Sequence, residues 1–258
     1  MDTYSGFASV YDEFMDSVPY EEWCEYIVKL LNQYGCGGGL LLELGCGTGT
    51  VTELLARKGY DMIGVDGSGD MLAEAIQKRE KSGLDILYLQ QDMREFELYG
   101  TVAGAVCVFD SINYMLKEEE LVSVFRLVNN YLDPGGIFLF DFTTAHAYRE
   151  AASQVVAVDN REDRYFLWED VFDEETQINE HEITVFLEGE DGRYGRLEET
   201  HYQRAYTLEQ MKAALLKAGM EFVAAYEAFT EEVPGPFTDR IYVAARERGK
   251  SGQGRMEE

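Results

Sequence analysis

The amino-acid sequence predicts an α/β protein with an open, doubly wound, mostly parallel seven-stranded sheet and a small antiparallel β insertion. Three observations predict it. The stretch LLLELGCGTG at residues 40–49 reads as a buried strand running into a tight glycine turn. Strand-like and helix-like runs then alternate as far as Phe142, as in a parallel sheet with crossover helices. Between His146 and Tyr206 the helical period gives way to two-residue alternation, and it returns only at Leu208.

The elements follow in order. Residues 1–36 read as an N-terminal helical flap: an amphipathic segment over 9–15, then a longer helix after Pro19 with Trp23, Ile27, Leu30, Leu31 and Tyr34 at helical spacing. Tyr4, Phe7 and Tyr11 precede the fold proper, as an aromatic flap or as residues that simply pack on the domain. Thr48 is placed to cap a helix carrying Val51, Leu54 and Leu55 and ending at Lys58-Gly59. Residues 60–66 form a strand ending in Asp66, 70–81 a helix with Met71, Leu72, Ala75 and Ile76 on its apolar side, and 85–89 a third strand followed by Gln90-Gln91-Asp92-Met93. A fourth strand over 102–109 ends at Asp110. A helix over 118–132 is closed by Asp133-Pro134-Gly135-Gly136, and a fifth strand spans 137–142. In the insertion, 165–172, 178–187 and 197–206 read as about three antiparallel strands. A helix between Thr207 and Gly219 and two strands over 221–229 and 240–245 complete the sheet. The expected division is 37–145 with 207–246 as the main domain, 146–206 as the insertion, and 247–258 as a flexible tail with little apolar content.

With 258 residues the chain can bury a substantial core. Its formal net charge of -27 repels polyphosphate, and the basic stretches are short and mixed with acids. A neutral or cationic small molecule is therefore favoured over nucleic acid, although such charge also serves solubility alone. There is no apolar run of membrane length, and the amino terminus is acidic and aromatic, so a cytoplasmic protein is expected. Cysteines at 24, 36, 46 and 107 have no metal-ligand spacing, and no metal is expected. Cys46 and Cys107 read as small buried hydrophobes.

Glu43, Asp66, Asp92, Asp110 and Asp141 all fall at or just beyond the carboxyl ends of strands, where an open parallel sheet binds its ligand. Any one of them could instead be a cap or a solvated loop residue; their shared edge makes the site hypothesis. Asp66 lies 21 residues after Gly45, a spacing suited to a carboxylate on the hydroxyls of an adenosine ribose. The glycines run GxGxG, with Thr50 where a dinucleotide fingerprint needs its last glycine, and Glu43 would sit badly beside a pyrophosphate.

Taken with GVDGSGDML (64–72), QQDMREF (90–96), VCVFDSINYM (106–115) and LDPGG (132–136), the glycine stretch resembles the class I S-adenosylmethionine-dependent methyltransferases, with their Rossmann-like fold. The resemblance implies S-adenosyl-L-methionine as cofactor and S-adenosyl-L-homocysteine as product. It implies Gly45, Cys46 and Gly47 along the methionine part, Glu43 near its ammonium, and Asp66 on the ribose. Met71, Gln91, Asp92 and Met93 would surround the adenine, Phe109 would line the methionine portion, and Tyr11 with Tyr4 would close the flap. Asp110, Asn113, Tyr114 and Asp141 are the candidate acceptor-binding residues; Asn113 and Tyr114 could equally be structural. A base is needed only for a protonated acceptor, and the candidates are His201, His146, His181, Asp110, Tyr114 and Asp141. EETHYQRAYT resembles a stretch of small-molecule members with an inserted sheet, which favours His201; a purely structural strand histidine is the competing reading. FDSINY stands where nucleobase amine methylases carry an NPPY-type signature, so a small metabolite is the expected acceptor, with the insertion as a wall or lid. A cofactor-binding regulator without transfer activity and a nicotinamide-dependent oxidoreductase are the alternatives.

Overall fold

The computed structural model describes residues 7–153, 157–161, 164–189 and 191–250. Helices α1 (Ala8–Phe14) and α2 (Tyr20–Gln33) lead into β1 (Gly39–Leu44), α3 (Thr50–Arg57), β2 (Tyr60–Asp66), α4 (Gly69–Ser82), β3 (Ile86–Gln90), β4 (Val102–Cys107), α5 (Glu118–Tyr131) and β5 (Leu132–Thr143). Helix α6 (Ala145–Ala152) then precedes β6 (Ala157–Asn160), β7 (Arg164–Asp173), β8 (Ile178–Glu188) and β9 (Tyr194–Arg204). The chain returns through α7 (Leu208–Lys217), β10 (Glu221–Glu227) and β11 (Arg240–Arg246).

The main sheet has seven strands in the order β10-β11-β5-β4-β1-β2-β3, with β10 and β11 antiparallel to their neighbours and the rest parallel. Side chains alternate across its plane. Leu42, Leu44, Phe138 and Phe140 pack with α5 and α7 on one face, while Leu41, Val106 and Leu139 pack with α2 and α3 on the other. The order reverses between β1 and β4, so the connections leaving their carboxyl ends diverge and open a crevice.

The inserted residues form a separate antiparallel sheet, β6-β7-β8-β9. One end of its inner face is apolar and closes on α1: Phe7, Val10 and Phe14 cluster with Ile183 and Val185, and Phe166 stacks on Phe14 at 5.5 Å or less from both rings. Among the described residues, no helix is long and apolar enough to cross a membrane.

The sequence expectations needed correction at four places. The second sheet has four strands rather than about three, because β6 is too short to register as an alternating run. Helix α6 lies where no helix was expected; it buries only Tyr148, so its apolar stripe is too thin to show a period. Strand β5 begins at Leu132, which pairs with Val102, although a proline and two glycines follow. Thr48 is not a helix cap: Gly49 holds that position at φ +76°, and the Thr48 hydroxyl donates to Asp12 at 2.6 Å. Within the expected tail, Glu247 and Lys250 make hydrogen bonds to the main domain. Glu247 accepts from the Gly135 amide at 2.8 Å and donates its own to Gly136 O at 2.9 Å, because the Pro-Gly-Gly turn offers backbone groups that polar residues satisfy. The rest of the expected tail, 251–258, and Tyr4 lie outside the described residues.

Phe14 is buried between α1 and the second sheet. Phe14→Ala should lower stability by about 3 kcal/mol. Chemical denaturation measures the loss, and limited proteolysis should show faster cleavage near α1 than elsewhere.

Candidate active site

The crevice begins at the turn after β1. Gly45 adopts φ +69°, and a Cβ there would lie 2.4 Å from the Ser111 hydroxyl, so only glycine lets this loop approach the turn after β4. Gly47, at φ +53°, has open space where a Cβ would project. Asp66 holds the loop from β2: one carboxylate oxygen accepts from the Gly47 amide and the other from the Ser68 amide, both at 2.8 Å. Burial raises its pKa, against those two hydrogen bonds. Ser68 caps α4 by accepting from the Met71 amide, which sets Met71 against the crevice wall.

Glu43 lies beneath this loop, 3% exposed, accepting the Thr52 hydroxyl at 2.6 Å. Burial pushes its carboxyl up to about 8; the Thr52 bond opposes the shift and the Asp66 charge adds to it. Burial thus favours its protonated form. Cys46 is buried beside it, its thiol raised well above the usual range by burial.

These residues line a cavity of about 460 Å³, together with Tyr11, Tyr20, Met71, Met93 and Phe109. Asp92 also lines it, but its oxygens are engaged by Arg94 through the backbone amide at 2.8 Å and the guanidinium Nε at 2.9 and 3.0 Å. That hydrogen bond holds the carboxyl below its ordinary range. Contact between Asp92 and an adenine amino group would require Arg94 to yield. Gln91 is not brought to the cavity; its side chain folds back on the Glu97 backbone at 2.7 and 3.1 Å.

The turn after β4 is built on buried charge. Phe109 and Asp110 take φ of +60° and +63°, and both amides donate to Asp141, which is fully buried at the end of β5. Arg240, from the start of β11, reaches Asp110 at 2.7 Å and Asp141 at 3.1 Å. Burial pushes both carboxyls up; at Asp110 the Arg240 charge outweighs it and the pKa is lowered, whereas at Asp141 burial prevails. Phe109 is aimed outward, stacked on Trp23 at 4.1 Å. Asn113 and Asp141 are absent from the cavity walls. The Asn113 amide donates to Thr143 O and Arg204 O at 3.0 and 2.8 Å and accepts from the Thr143 amide at 3.0 Å, which joins the 3-10 turn Ser111–Tyr114 to β5 and β9.

A second cavity, of about 310 Å³, adjoins the first and shares Tyr11, Phe109 and Tyr114 with it. The Asp110–Arg240 pair lines one side. Trp168, Asp170, His181, His201 and Gln203, from the inner face of the inserted sheet, line another. His181 pairs with Asp170 and contacts Gln203 at 2.7 Å. His201, 2% exposed, contacts the Tyr114 hydroxyl through Nδ1 at 3.2 Å and Glu199 through Nε2 at 3.2 Å. His146 lines neither cavity and faces Asp239 at 3.8 Å. Sequence reasoning missed Tyr20, Ser111, Tyr148, Trp168, Asp170, Glu199, Gln203 and Arg240. A signal existed for two: Glu199, His201 and Gln203 are spaced by two on one strand and so share a face.

A glycine loop and a ribose-spaced acid at the switch point of a parallel sheet, opening into a second cavity, suit a protein with an adenosine-bearing cofactor. Comparison with known proteins narrows this. A family model described as a methyltransferase domain matches residues 41–136. A provisionally named methyltransferase from Geobacillus sp. (strain WCH70) is 33% identical over 245 residues, covering 95% of this chain and 99% of the relative. The solved S-adenosylmethionine-dependent methyltransferase from Clostridium acetobutylicum superimposes with a TM-score of 0.84 at 26% identity, covering 95% of this chain and 99% of its own. The sugar N-methyltransferase KedS8 from Streptoalloteichus sp. shares the fold, with a TM-score of 0.74 at 21% identity and 93% of each chain covered. This chain belongs to the class I S-adenosylmethionine-dependent methyltransferases.

The residues present fit that cofactor: the open space at Gly47 admits it, the Glu43 carboxyl suits a cationic end, and Met71 and Met93 offer soft apolar surface. Asp66→Ala should weaken S-adenosylmethionine binding by about 1–3 kcal/mol, because it also releases the Gly47 and Ser68 amides. Calorimetry measures this, and an unchanged Kd would remove Asp66 from the site. The raised pKa of Glu43 gives a sign for stability. The folded cofactor-free protein binds a proton there that the unfolded chain releases, so stability falls as pH rises from 4.5 through about 8. Glu43→Gln should flatten that fall, giving a higher Tm than wild type above pH 8 and a much weaker cofactor affinity. Thermal scans across pH and calorimetry check the two halves.

Proposed function

We propose that this chain is a cytoplasmic methyltransferase that acts on a small polar amine, with His201 accepting the acceptor's proton through Tyr114. The observation that carries the reading is Tyr114: it lines both cavities, and its hydroxyl meets His201. S-adenosylmethionine, when bound, supplies a methyl group on a sulfonium. The protein's share is then to align the acceptor, exclude water and manage one proton.

Glu43, Gly45, Cys46, Gly47, Asp66, Met71, Met93, Phe109 and Tyr11 are the proposed cofactor contacts. Asp110 and Tyr114 face the acceptor, with Asn113 and Asp141 acting through the backbone they hold. As an ammonium acceptor loses its proton to the Tyr114 oxygen, the phenolic proton passes to His201 Nδ1. An Nε2–H directed at Glu199 selects the tautomer whose Nδ1 can accept from the Tyr114 hydroxyl. An amine is supported by the acids that line the second cavity: Asp110, Asp170 and Asp239 stand against a single arginine, Arg240, and hydrogen bonding with His181 keeps Asp170 low against its burial. The cavity size suits a molecule of about one sugar ring, and the fold likeness to a sugar N-methyltransferase makes amino sugars the first class to test. The unit 146–206, read as an inserted subdomain on the main domain of 37–145 and 207–246, forms the outer wall of the acceptor cavity.

The test is a panel of amino sugars and other small amines with their hydroxyl counterparts, incubated with labelled S-adenosylmethionine and read by mass spectrometry. Amines should accept the label. His201→Gln and Tyr114→Phe should each lower kcat by about a hundredfold with cofactor Kd nearly unchanged. Transfer only to hydroxyls would overturn the amine reading; binding without transfer to any acceptor would make the chain a cofactor-binding regulator.

A further inference from the structure

Glu199 stands two residues before His201 on β9, so both project from the inner face of the inserted sheet. One carboxylate oxygen, Oε2, meets His201 Nε2 at 3.2 Å. The other, Oε1, accepts from the backbone amide of Phe7 at 3.1 Å, across 192 residues of sequence. Phe7 is the residue from which α1 starts, and its ring is 2% exposed against Phe166. One turn further along α1, Asp12 accepts the Thr48 hydroxyl of the glycine loop and pairs with Lys78 of α4. The N-terminal helix is thus tied at one end to the proton-handling histidine and at the other to the loop that seats the cofactor.

We propose that Glu199 is a positioning residue that makes the Tyr114–His201 array depend on docking of the N-terminal segment. The proposal rests on the reading of Tyr114 and His201 given above. A carboxylate is the group required, because two N–H donors approach its two oxygens and each oxygen can accept. A glutamine has one accepting oxygen and turns an NH2 toward the other donor, so it can serve Phe7 or His201 but not both. With α1 docked, Glu199 is held on both sides, His201 keeps its Nε2–H on Glu199, and Nδ1 faces Tyr114. Closure over the cofactor and assembly of the proton acceptor become one event. Among the described residues, His181 is the register partner of His201 on β8, and the Asp110–Arg240 pair lines the same cavity.

The experiment uses the full chain saturated with S-adenosylhomocysteine and needs no acceptor. In Glu199→Gln, the His201 ring nitrogen resonances should move, because Nε2 loses its carboxylate partner. Hydrogen exchange at the Phe7 amide should quicken by about tenfold or more. Phe7→Pro removes the amide donor while keeping a φ compatible with the observed -79°. It should move the His201 ring nitrogen resonances, whereas Phe7→Ala, which keeps the N–H, should lower Tm and leave them nearly in place. Wild-type His201 ring resonances and Phe7 exchange in Glu199→Gln would overturn the proposal, as would identical ring resonances in Phe7→Pro and wild type. Failure of the underlying reading looks different: His201→Gln and Tyr114→Phe would transfer at the wild-type rate while the Glu199 effects on the His201 ring persisted.

Discussion

Both cavities depend on one buried carboxylate. Asp141, at the end of β5, has no exposed surface, and it accepts the amides of two successive residues on the neighbouring strand's loop. Those residues, Phe109 and Asp110, both lie in the left-handed region that side chains other than glycine rarely adopt. Without an acceptor for both amides the turn would relax, and three placements would be lost together. Phe109 would leave the Trp23 stack, Asp110 would leave Arg240, and the 3-10 turn carrying Tyr114 would shift from the junction of the cavities. Asp141 is in turn tolerable only because Arg240 reaches it. A buried carboxylate left without its cation is a large penalty, and the shared arginine distributes one positive charge between two acids.

A second constraint joins parts of the chain far apart in sequence. The inserted sheet has an apolar end and a polar end on the same inner face. The apolar end, with Phe166, Ile183 and Val185, is covered by α1, whereas the polar end, with Asp170, His181, His201 and Gln203, faces the acceptor cavity. A sheet with one half-apolar face must be covered where it is apolar. The N-terminal helix supplies that cover, and its opposite side lies on the glycine loop through Asp12. The same small helix therefore satisfies the hydrophobic demand of the insertion and completes the rim of the cofactor cavity.

The parts of this architecture governed by local rules were legible in the sequence. Leu41, Leu42 and Leu44 put apolar side chains on both sides of the strand because β1 is buried on both faces, and the acids after the parallel strands mark the edge where such a sheet binds a ligand. The glycine turn was legible because Gly45 and Gly47 adopt conformations that other residues avoid. What escaped depended on distant partners. Arg240 reads as an isolated cation before an apolar strand, and its meaning appears only when β11 lies against β5 and meets Asp110, 130 residues earlier. Asn113 looked like an acceptor contact, but its amide is consumed by the backbone of β5 and β9, a role set by tertiary packing. Gln91 sits in the right motif and is drawn away by the Glu97 backbone. Helix α6 and strand β6 bury too little apolar surface to leave a period.

The two cavities also differ in how they carry negative charge, and that difference suits a reaction that begins with a cation and ends by leaving one on the acceptor. Around the cofactor the charge is conditional. Burial keeps Glu43 protonated toward pH 8, and a nearby ammonium would favour its ionised form, so the carboxylate develops as its partner arrives. In the acceptor cavity the charge is fixed, because Arg240 holds Asp110 ionised inside a buried cluster and His181 does the same for Asp170. On the amine reading proposed above, fixed charges that need no reorganisation would stabilise positive charge as it moves from the sulfonium to the acceptor. On that reading, carboxylates already ionised at the receiving end and a neutral, ionisable acid at the donor end both favour the direction of transfer.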